Sequence, residues 1–470
     1  MGNPENTDKP PSSDPHDAAF FEQMRGCRDN YRKLADCIHA VVGAQPSALD
    51  IGCGIGLQTA RLNELGWSTI GGEYSPFAID MIEPGVHVER FDLTEPIGSA
   101  ADDARLLRGF HCVICTETAE HISEQHSLSI VANVASRATD VIVWSAAAPG
   151  QEWEGHINLQ PPEYWLTRFR IHGWVLDEAR TAQLRQLMEV HQAQHWMGRH
   201  NFCVLVPKEE PMHMTIVSTA LNAERWIQKC ISSVQSQTFR NYTHIVVDAK
   251  SEDRTEEIAL FNAETDLQLQ VVHNEVRQAA LENCWHIWKN LPDSEVVVWL
   301  DGDDWLAHDR ALEILALAYA HKSEPWLTYG QFMFSDGEVG FAAPYAPGTR
   351  VRYADWRATH LKTFRAGLAK RLSLGYLDAV ATASEIPEPR CLLRPDGTWT
   401  EYAIDKAIMW PLLEMAGARY TCVYQILSVY NMQAASADRA RNTPEHQFEL
   451  SEVERLRALG QHALLKDRPW

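Results

Sequence analysis

Short apolar runs of strand character recur along the chain, each ending in glycine, an acid or a polar turn, and most are followed by apolar residues at helical spacing. Ala48-Leu49-Asp50-Ile51 is the first, and Leu57, Ala60, Leu62 and Leu65 behind it fall on one helical face. Trp67 to Glu73, a short run before Phe91-Asp92-Leu93, Cys112 to Glu117 and Phe202 to Val206 continue the pattern. It begins again at Met214-Thr215-Ile216-Val217-Ser218. Behind that strand, Trp226, Ile227, Cys230, Ile231 and Val234 make an ordinary helical core face. His244 to Asp248, Val271 to Glu275 and Val296 to Leu300 follow as strands, with a helix from about Ala279 between the last two. Strands alternating with helices predict α/β architecture with parallel sheets and right-handed crossovers.

The two runs share no evident repeat, so they predict two different domains. Pro207-Lys208-Glu209-Glu210-Pro211 reads as a linker. The expected division is a disordered lead-in over 1–20, a first domain over 21–207, a linker over 208–213, a second domain over 214–445 and a helical tail over 446–470. At 470 residues the chain exceeds a single ordinary core. No apolar run has the length of a membrane span, and Met1 to Asp17 lacks the apolar centre of a signal peptide, which predicts a cytoplasmic protein. A net charge of −21 disfavours nucleic acid or an anionic membrane as the main partner. Cys112 and Cys115 are closely spaced but have no second pair, so buried free thiols are expected there rather than zinc.

The chemistry is most concentrated in Val296-Val297-Val298-Trp299-Leu300-Asp301-Gly302-Asp303-Asp304, where an apolar strand ends in three carboxylates within four residues. Like charges repel there unless a cation sits among them. Hard oxygen ligands suit Mg²⁺ or Mn²⁺, which are commonly shared with substrate phosphates. The plain alternative is a solvated acidic turn. In the first half, Leu49-Asp50-Ile51-Gly52-Cys53-Gly54-Ile55-Gly56 is a strand running into a glycine turn that lets a ligand approach closely. Leu57 fills the place where a dinucleotide fingerprint wants a small residue, which speaks against a nicotinamide oxidoreductase. Glu73, at the end of the next strand, is placed to accept ribose hydroxyls. Asp92 is placed near an adenine amino group.

In this order of motifs, about Asp50 to Phe202 resembles the class I S-adenosylmethionine-dependent methyltransferases. The nearest look is a branch with Glu-x-x-Glu-His after the fourth strand, here Glu117-Thr118-Ala119-Glu120-His121. The resemblance implies a Rossmann-like fold, with Asp50, Gly52, Gly54 and Gly56 around the methionine part, Glu73 on the ribose and Asp92 beside the adenine. Methyl transfer to oxygen needs a base, for which His121 and His156 are the candidates. Glu120 has a plainer reading as a charge at a helix start.

About Met214 to Asn431 resembles the family 2 glycosyltransferases of the GT-A fold. The likeness rests on Ser233-Val234-Gln235-Ser236-Gln237-Thr238-Phe239, on Asp248 to Thr255 and on Asp301-Gly302-Asp303. Where the family often reads Asp-Asp-Gly-Ser-x-Asp-Gly-Thr, this chain has Ala249 for the second Asp and Lys250 and Arg254 for the glycines. The resemblance implies a nucleotide-sugar donor, UDP-linked, with Asp248 and Asn274 on the nucleotide. Asp303 is implied as first metal ligand, Asp301 on ribose or metal-bound water, and Asp304 as a further ligand. Asp405 is the implied base, with Glu401 in reserve; a charge at the helix N-terminus is the plain alternative. His360 to Arg365 reads as a basic segment meeting diphosphate or as a solvated helix face. Trp299, Trp305, Trp356 and Trp399 are candidates for an acceptor platform.

The chain thus reads as a bifunctional enzyme. One part would transfer a sugar to a glycan or glycolipid acceptor, with inversion and a divalent ion. The other would methylate a sugar oxygen with S-adenosylmethionine, in bacterial surface polysaccharide synthesis, peripheral to the inner membrane through the acceptor. The alternatives are a glycosyltransferase with a non-catalytic methyltransferase-like scaffold, and a non-enzymatic glycan- or nucleotide-binding protein.

Overall fold

The computed structural model describes residues 16–95, 106, 109–193, 198–207, 210–321, 323–372, 392–434, 444–459 and 465. The chain divides into two compact units, Met1–Pro211 and Met212–Trp470. Most of the expected lead-in, residues 1–15, and Lys208 and Glu209 of the expected linker lie outside the described residues.

In the first unit, described residues form a sheet of β1 (Ala48–Ile51), β2 (Thr69–Glu73), β3 (Val88–Arg90), β4 (Phe110–Thr116), β5 (Ala138–Ser145), β6 (Trp174–Leu176) and β7 (Cys203–Pro207). The order is β3-β2-β1-β4-β5-β7-β6, parallel except for β7, which runs against both neighbours. Strand order reverses between β1 and β4, so the crevice for a ligand opens beyond their C-terminal ends. This is the Rossmann-like fold that the resemblance implies. One face of the sheet buries Leu49, Ile51, Val113 and Ile142, the other Ala48, Cys112, Ile114 and Val143. Cys112 and Cys115 are buried thiols within β4. The lead-in does not extend to residue 20: a helix spans Ala18–Gly26 because Asp17 caps it, accepting from the Ala19 and Phe20 amides, and Phe21 is buried.

In the second unit the sheet contains β8 (Met214–Ala220), β9 (Tyr242–Asp248), β10 (Leu269–His273), β11 (Val296–Trp299), β12 (Trp305–Leu306), β13 (Leu327–Phe334), β14 (Lys362–Arg365) and β15 (Tyr420–Tyr430). Its order is β10-β9-β8-β11-β14-β13-β15-β12. The first four are parallel, and β14 runs antiparallel to β11 with Trp299 opposite Lys362. Order reverses between β8 and β11, which is where the acid run emerges. This mixed sheet has the GT-A architecture. The helix Pro444–Ala458, in the stretch expected as a helical tail, buries Leu456 in the same core.

Two expected helices take other forms. Thr118 to Ile122 makes only one 3₁₀ turn, and the next α-helix begins at Ser127. The Glu120 carbonyl accepts the amides of Ile157 and Asn158 and is unavailable to a helix ladder. His360 to Arg365 is neither helix nor solvated: Lys362 to Arg365 is a strand, and Lys362 is 1% exposed.

Candidate functional sites

The glycine turn after β1 is built around Glu73. Its Oε2 accepts the Gly54 amide at 2.8 Å, and its Oε1 accepts the amides of Tyr74 and Ser75 at 2.8 and 2.9 Å. Burial raises the Glu73 carboxyl above its usual range, against those three amides. Gly52 has φ 69°, and a Cβ there would meet Thr118 Oγ1 at 2.3 Å, so only glycine fits. Asp50 accepts from Thr59 Oγ1 at 2.7 Å and Gln58 Nε2 at 3.2 Å. Burial pushes its carboxyl up to about 7 despite these bonds. Gly54 and Gly56 also have positive φ. Met24 Sδ lies 2.8 Å from where a Cβ on Gly54 would stand, so the first helix covers the turn. Asp92 is half-buried with Oδ1 committed to the amide and hydroxyl of Thr94. Asp50, Gly52, Gly54, Gly56 and Glu73 are therefore gathered at the crevice, while Asp92 lies after β3.

Next to this crevice, Glu120, His121 and His156 each offer a ligand atom within 4.8 Å of the others'. Glu120 is fully buried rather than capping a helix. Burial lowers His121 to about 4, against its bond to the Gly155 carbonyl. Trp153 and His16 pack edge-on against the His121 ring. The sequence signal for this cluster was Glu-x-x-Glu-His; its convergence with His156 and the aromatic cover was not legible.

In the second unit the acid run turns at the end of β11. Gly302 donates to the Thr219 carbonyl at 3.0 Å, and a Cβ on it would meet that oxygen and Ala220 Cβ at 2.8 Å. The close approach to β8 thus requires glycine between Asp301 and Asp303. Asp301, Asp304 and His360 each offer a ligand atom within 4.8 Å of the others'. Asp303, expected as first ligand, is half-buried and is not in that group, which instead includes His360 from the segment preceding β14. Asp304 accepts the Asn431 amide at 2.8 Å. Burial and the charges of Asp301 and Asp303 hold its carboxyl well above the usual range.

Lys362 links this cluster to Asp405. Its Nζ lies 2.8 Å from Asp405 Oδ1 and 3.8 Å from Asp301 Oδ2. Burial alone would lower the ammonium; Asp405 and Asp301 override it and raise it above its ordinary value. Burial likewise works to raise Asp405, but Lys362 and His360 hold it down to about 2. Glu401, the reserve base, is exposed and 3.9 Å from Arg394, outside this network. On the same sheet edge, Asp248 is fully buried, accepts the Ser251 amide and faces His273 at 3.4 Å. Asn274 donates its amide to the Asp248 carbonyl and its side chain to Asn283. Lys250 has φ 70° at a position where the family pattern has glycine. Trp299 is buried and donates to Asp301, so it is a support rather than a platform; Trp305 is half-buried under Lys229.

The second unit is thus a GT-A domain with its acids at the switch point of the sheet, and the first is a Rossmann-like domain. Residues 215–366 match the model of the family described as glycosyl transferase family 2. The chain is 28% identical over 96 residues to the glycosyltransferase GlyA of Streptococcus pneumoniae, 20% of this chain and 14% of that protein. It spans well under a third of that relative's length. Residues 1–349 of Staphylococcus aureus TarS are similar to 53% of this chain and match over 71% of their own length, at 17% identity and TM-score 0.36. The sugar N-methyltransferase KedS8 of a Streptoalloteichus species matches over its full length and 44% of this chain, at 16% identity and TM-score 0.33. Among the described residues, no helix is long and apolar enough to cross a membrane.

Proposed function

We propose that the second unit transfers a sugar from a UDP-linked donor to a glycan or glycolipid hydroxyl, with inversion. The observation that carries this reading is the Asp301–Asp304–His360 cluster, joined through Lys362 to Asp405 at the switch point of a domain that matches the family 2 model. The donor set of two carboxylates and an imidazole, with Asp304 buried among like charges, fits a divalent cation such as Mn²⁺ or Mg²⁺. When bound, that cation would neutralise charge on the departing diphosphate. Asp248 and Asn274 would hold the nucleotide, and Asp303 would face the cation from outside the donor set. Asp405 would take the acceptor proton as the acceptor oxygen bonds to the anomeric carbon and the diphosphate leaves with its electron pair. Lys362 would keep Asp405 ionised before the acceptor arrives. Screening UDP-sugars for Mn²⁺-dependent turnover, in the wild type and in Asp304→Asn, tests this. Turnover that is indifferent to both metal and substitution would refute it.

The first unit, on the same proposal, binds S-adenosylmethionine with Asp50, Gly52, Gly54, Gly56, Glu73 and Asp92, and methylates a sugar oxygen of the same glycan. His121 and His156 are the proposed acceptor-side groups that ease loss of the hydroxyl proton. Fusion of the two folds supports sequential action on one glycan, and the assignment to bacterial surface polysaccharide synthesis rests on analogy with the families that the two units resemble. Calorimetric titration with S-adenosylmethionine tests this half, and the absence of binding would favour a scaffold role.

A further inference from the structure

We propose that Glu120, His121 and His156 form a second divalent-cation site, of Zn²⁺ type, in the first unit. Each of the three offers a ligand atom within 4.8 Å of the other two. Tetrahedral ligands about 2.0–2.1 Å from zinc stand roughly 3.4 Å from one another, so small rotamer adjustments would close the site.

Two independent features point to a ligand. The first is Glu120, which is fully buried with neither carboxylate oxygen hydrogen-bonded. The Ala147 amide lies near enough to favour its charge and the Glu117 carboxyl near enough to oppose it. A buried acid left so is costly unless a charge or donor meets it. The second is how the imidazoles are held. His121 Nδ1 lies 3.0 Å from the Gly155 carbonyl, and His156 Nδ1 lies 2.6 Å from the Gln151 carbonyl. A carbonyl oxygen only accepts, so in each ring Nδ1 carries the hydrogen. Nε2 is then the nitrogen left with a lone pair. Histidine ligands are commonly oriented in this way, by donation of the other ring N–H to a backbone carbonyl. Gly155 has no room for a Cβ, because Trp153 would stand 2.2 Å from it. Trp153 and His16 pack edge-on beside the His121 ring.

Two imidazoles and one carboxylate leave coordination positions open, as catalytic zinc sites do. This deepens the methyltransferase reading and rests on it for one consequence. An acceptor hydroxyl bound at the open position would lose its proton to solvent water. Its oxygen would then bond to the sulfonium methyl carbon while the carbon–sulfur bond breaks and its electron pair stays on sulfur. The histidines would act as ligands rather than as free bases.

Cobalt(II) is the probe, because its visible d–d bands report low-coordinate nitrogen and oxygen ligation. The full chain is stripped with a chelator and titrated with Co²⁺. The expected result is a band that saturates at one equivalent in an Asp301→Ala/Asp304→Ala variant, where only the proposed site remains, and weakens at least ~10-fold in affinity when His156→Ala or Glu120→Gln is added. Unchanged melting temperatures in these variants separate a lost ligand from a lost fold. Absence of the band in the Asp301→Ala/Asp304→Ala variant, the same affinity when His156→Ala is added, or a thiolate charge-transfer band assigning the cation to cysteine would overturn the proposal. Calorimetric binding of S-adenosylmethionine is read separately, so either half of the reading can fail without the other.

Discussion

Removing Lys362 isolates the interaction on which the second site is balanced. In Lys362→Met the buried stem stays filled while Asp405 and Asp301 lose their cation. At 2.8 Å and an effective dielectric near 20, the Asp405 contact is worth about 6 kcal/mol gross, much of it offset by desolvating the ammonium. The fall of Asp405 from 3.8 to about 2 corresponds to about 2 kcal/mol of net stabilisation. Because the Asp405 side chain is 33% exposed, solvent screening makes this an upper value for that pair alone. Asp301 adds a smaller share from 3.8 Å. A loss of about 2 kcal/mol should lower the melting transition of the second unit by roughly 4–8 °C at neutral pH. The sign with pH follows from both partners. Asp405 is depressed in the folded state, so its contribution is present above 3.8 and lost as pH falls through about 2. Lys362 is raised, so its contribution is present below 10.5 and lost only above that value. The difference between wild type and Lys362→Met, measured by calorimetry, should therefore be flat from pH 5 to pH 9 and shrink below pH 4. Adding Asp405→Asn to Lys362→Met should recover part of the loss, since it removes the unpaired carboxylate. A Lys362→Met protein as stable as wild type, or a double variant with no recovery, would refute the pairing. If Asp405 is the base, the acid limb of kcat/KM should also move upward in Lys362→Met, from near 2 towards the ordinary carboxylate range.

Asp304→Asn should raise the melting temperature of the metal-free protein at pH 8, because Asp304 is held above its usual range by burial and by like charges. The same variant should lose the stabilisation that Mn²⁺ gives the wild type; an unaltered Mn²⁺ shift in thermal denaturation would remove Asp304 from the cation site. Glu73→Gln should weaken S-adenosylmethionine at least ~10-fold by calorimetry, since a neutral amide is a poorer partner for ribose hydroxyls and for the Gly54 amide. Glu73→Ala should in addition lower stability by about 1–3 kcal/mol, because three amides lose their acceptor; equal melting temperatures for the two variants would contradict this. Gly52→Ala should cost at least ~1–2 kcal/mol from its left-handed φ alone, and more from contact with Thr118. Unchanged urea denaturation would show that the turn relaxes.

What was legible in the sequence follows the range of the interactions involved. The strand Val296 to Trp299 and the glycine turn after Ile51 are local patterns of apolar runs and backbone needs, and both emerge at the switch points of their sheets. His360 and Lys362 gave only the signal of a basic segment, which reads equally as a diphosphate contact or as a solvated helix face, and nothing within it marks either residue as joined to the acids. Their position comes from antiparallel register, with Lys362 opposite Trp299 across a gap of more than sixty residues. That register brings one ammonium between Asp301 and Asp405, and it turns a segment that reads as basic surface into buried strand. The same reasoning applies to Glu120. Its local pattern favours a helix start, yet the amides of Ile157 and Asn158 capture its carbonyl and fix the chain in a single turn. A charged side chain whose local reading is a solvated face can therefore be drawn into a site by pairing from a distant strand or loop. Such residues are found by asking which buried charge in the folded chain still lacks a counterpart.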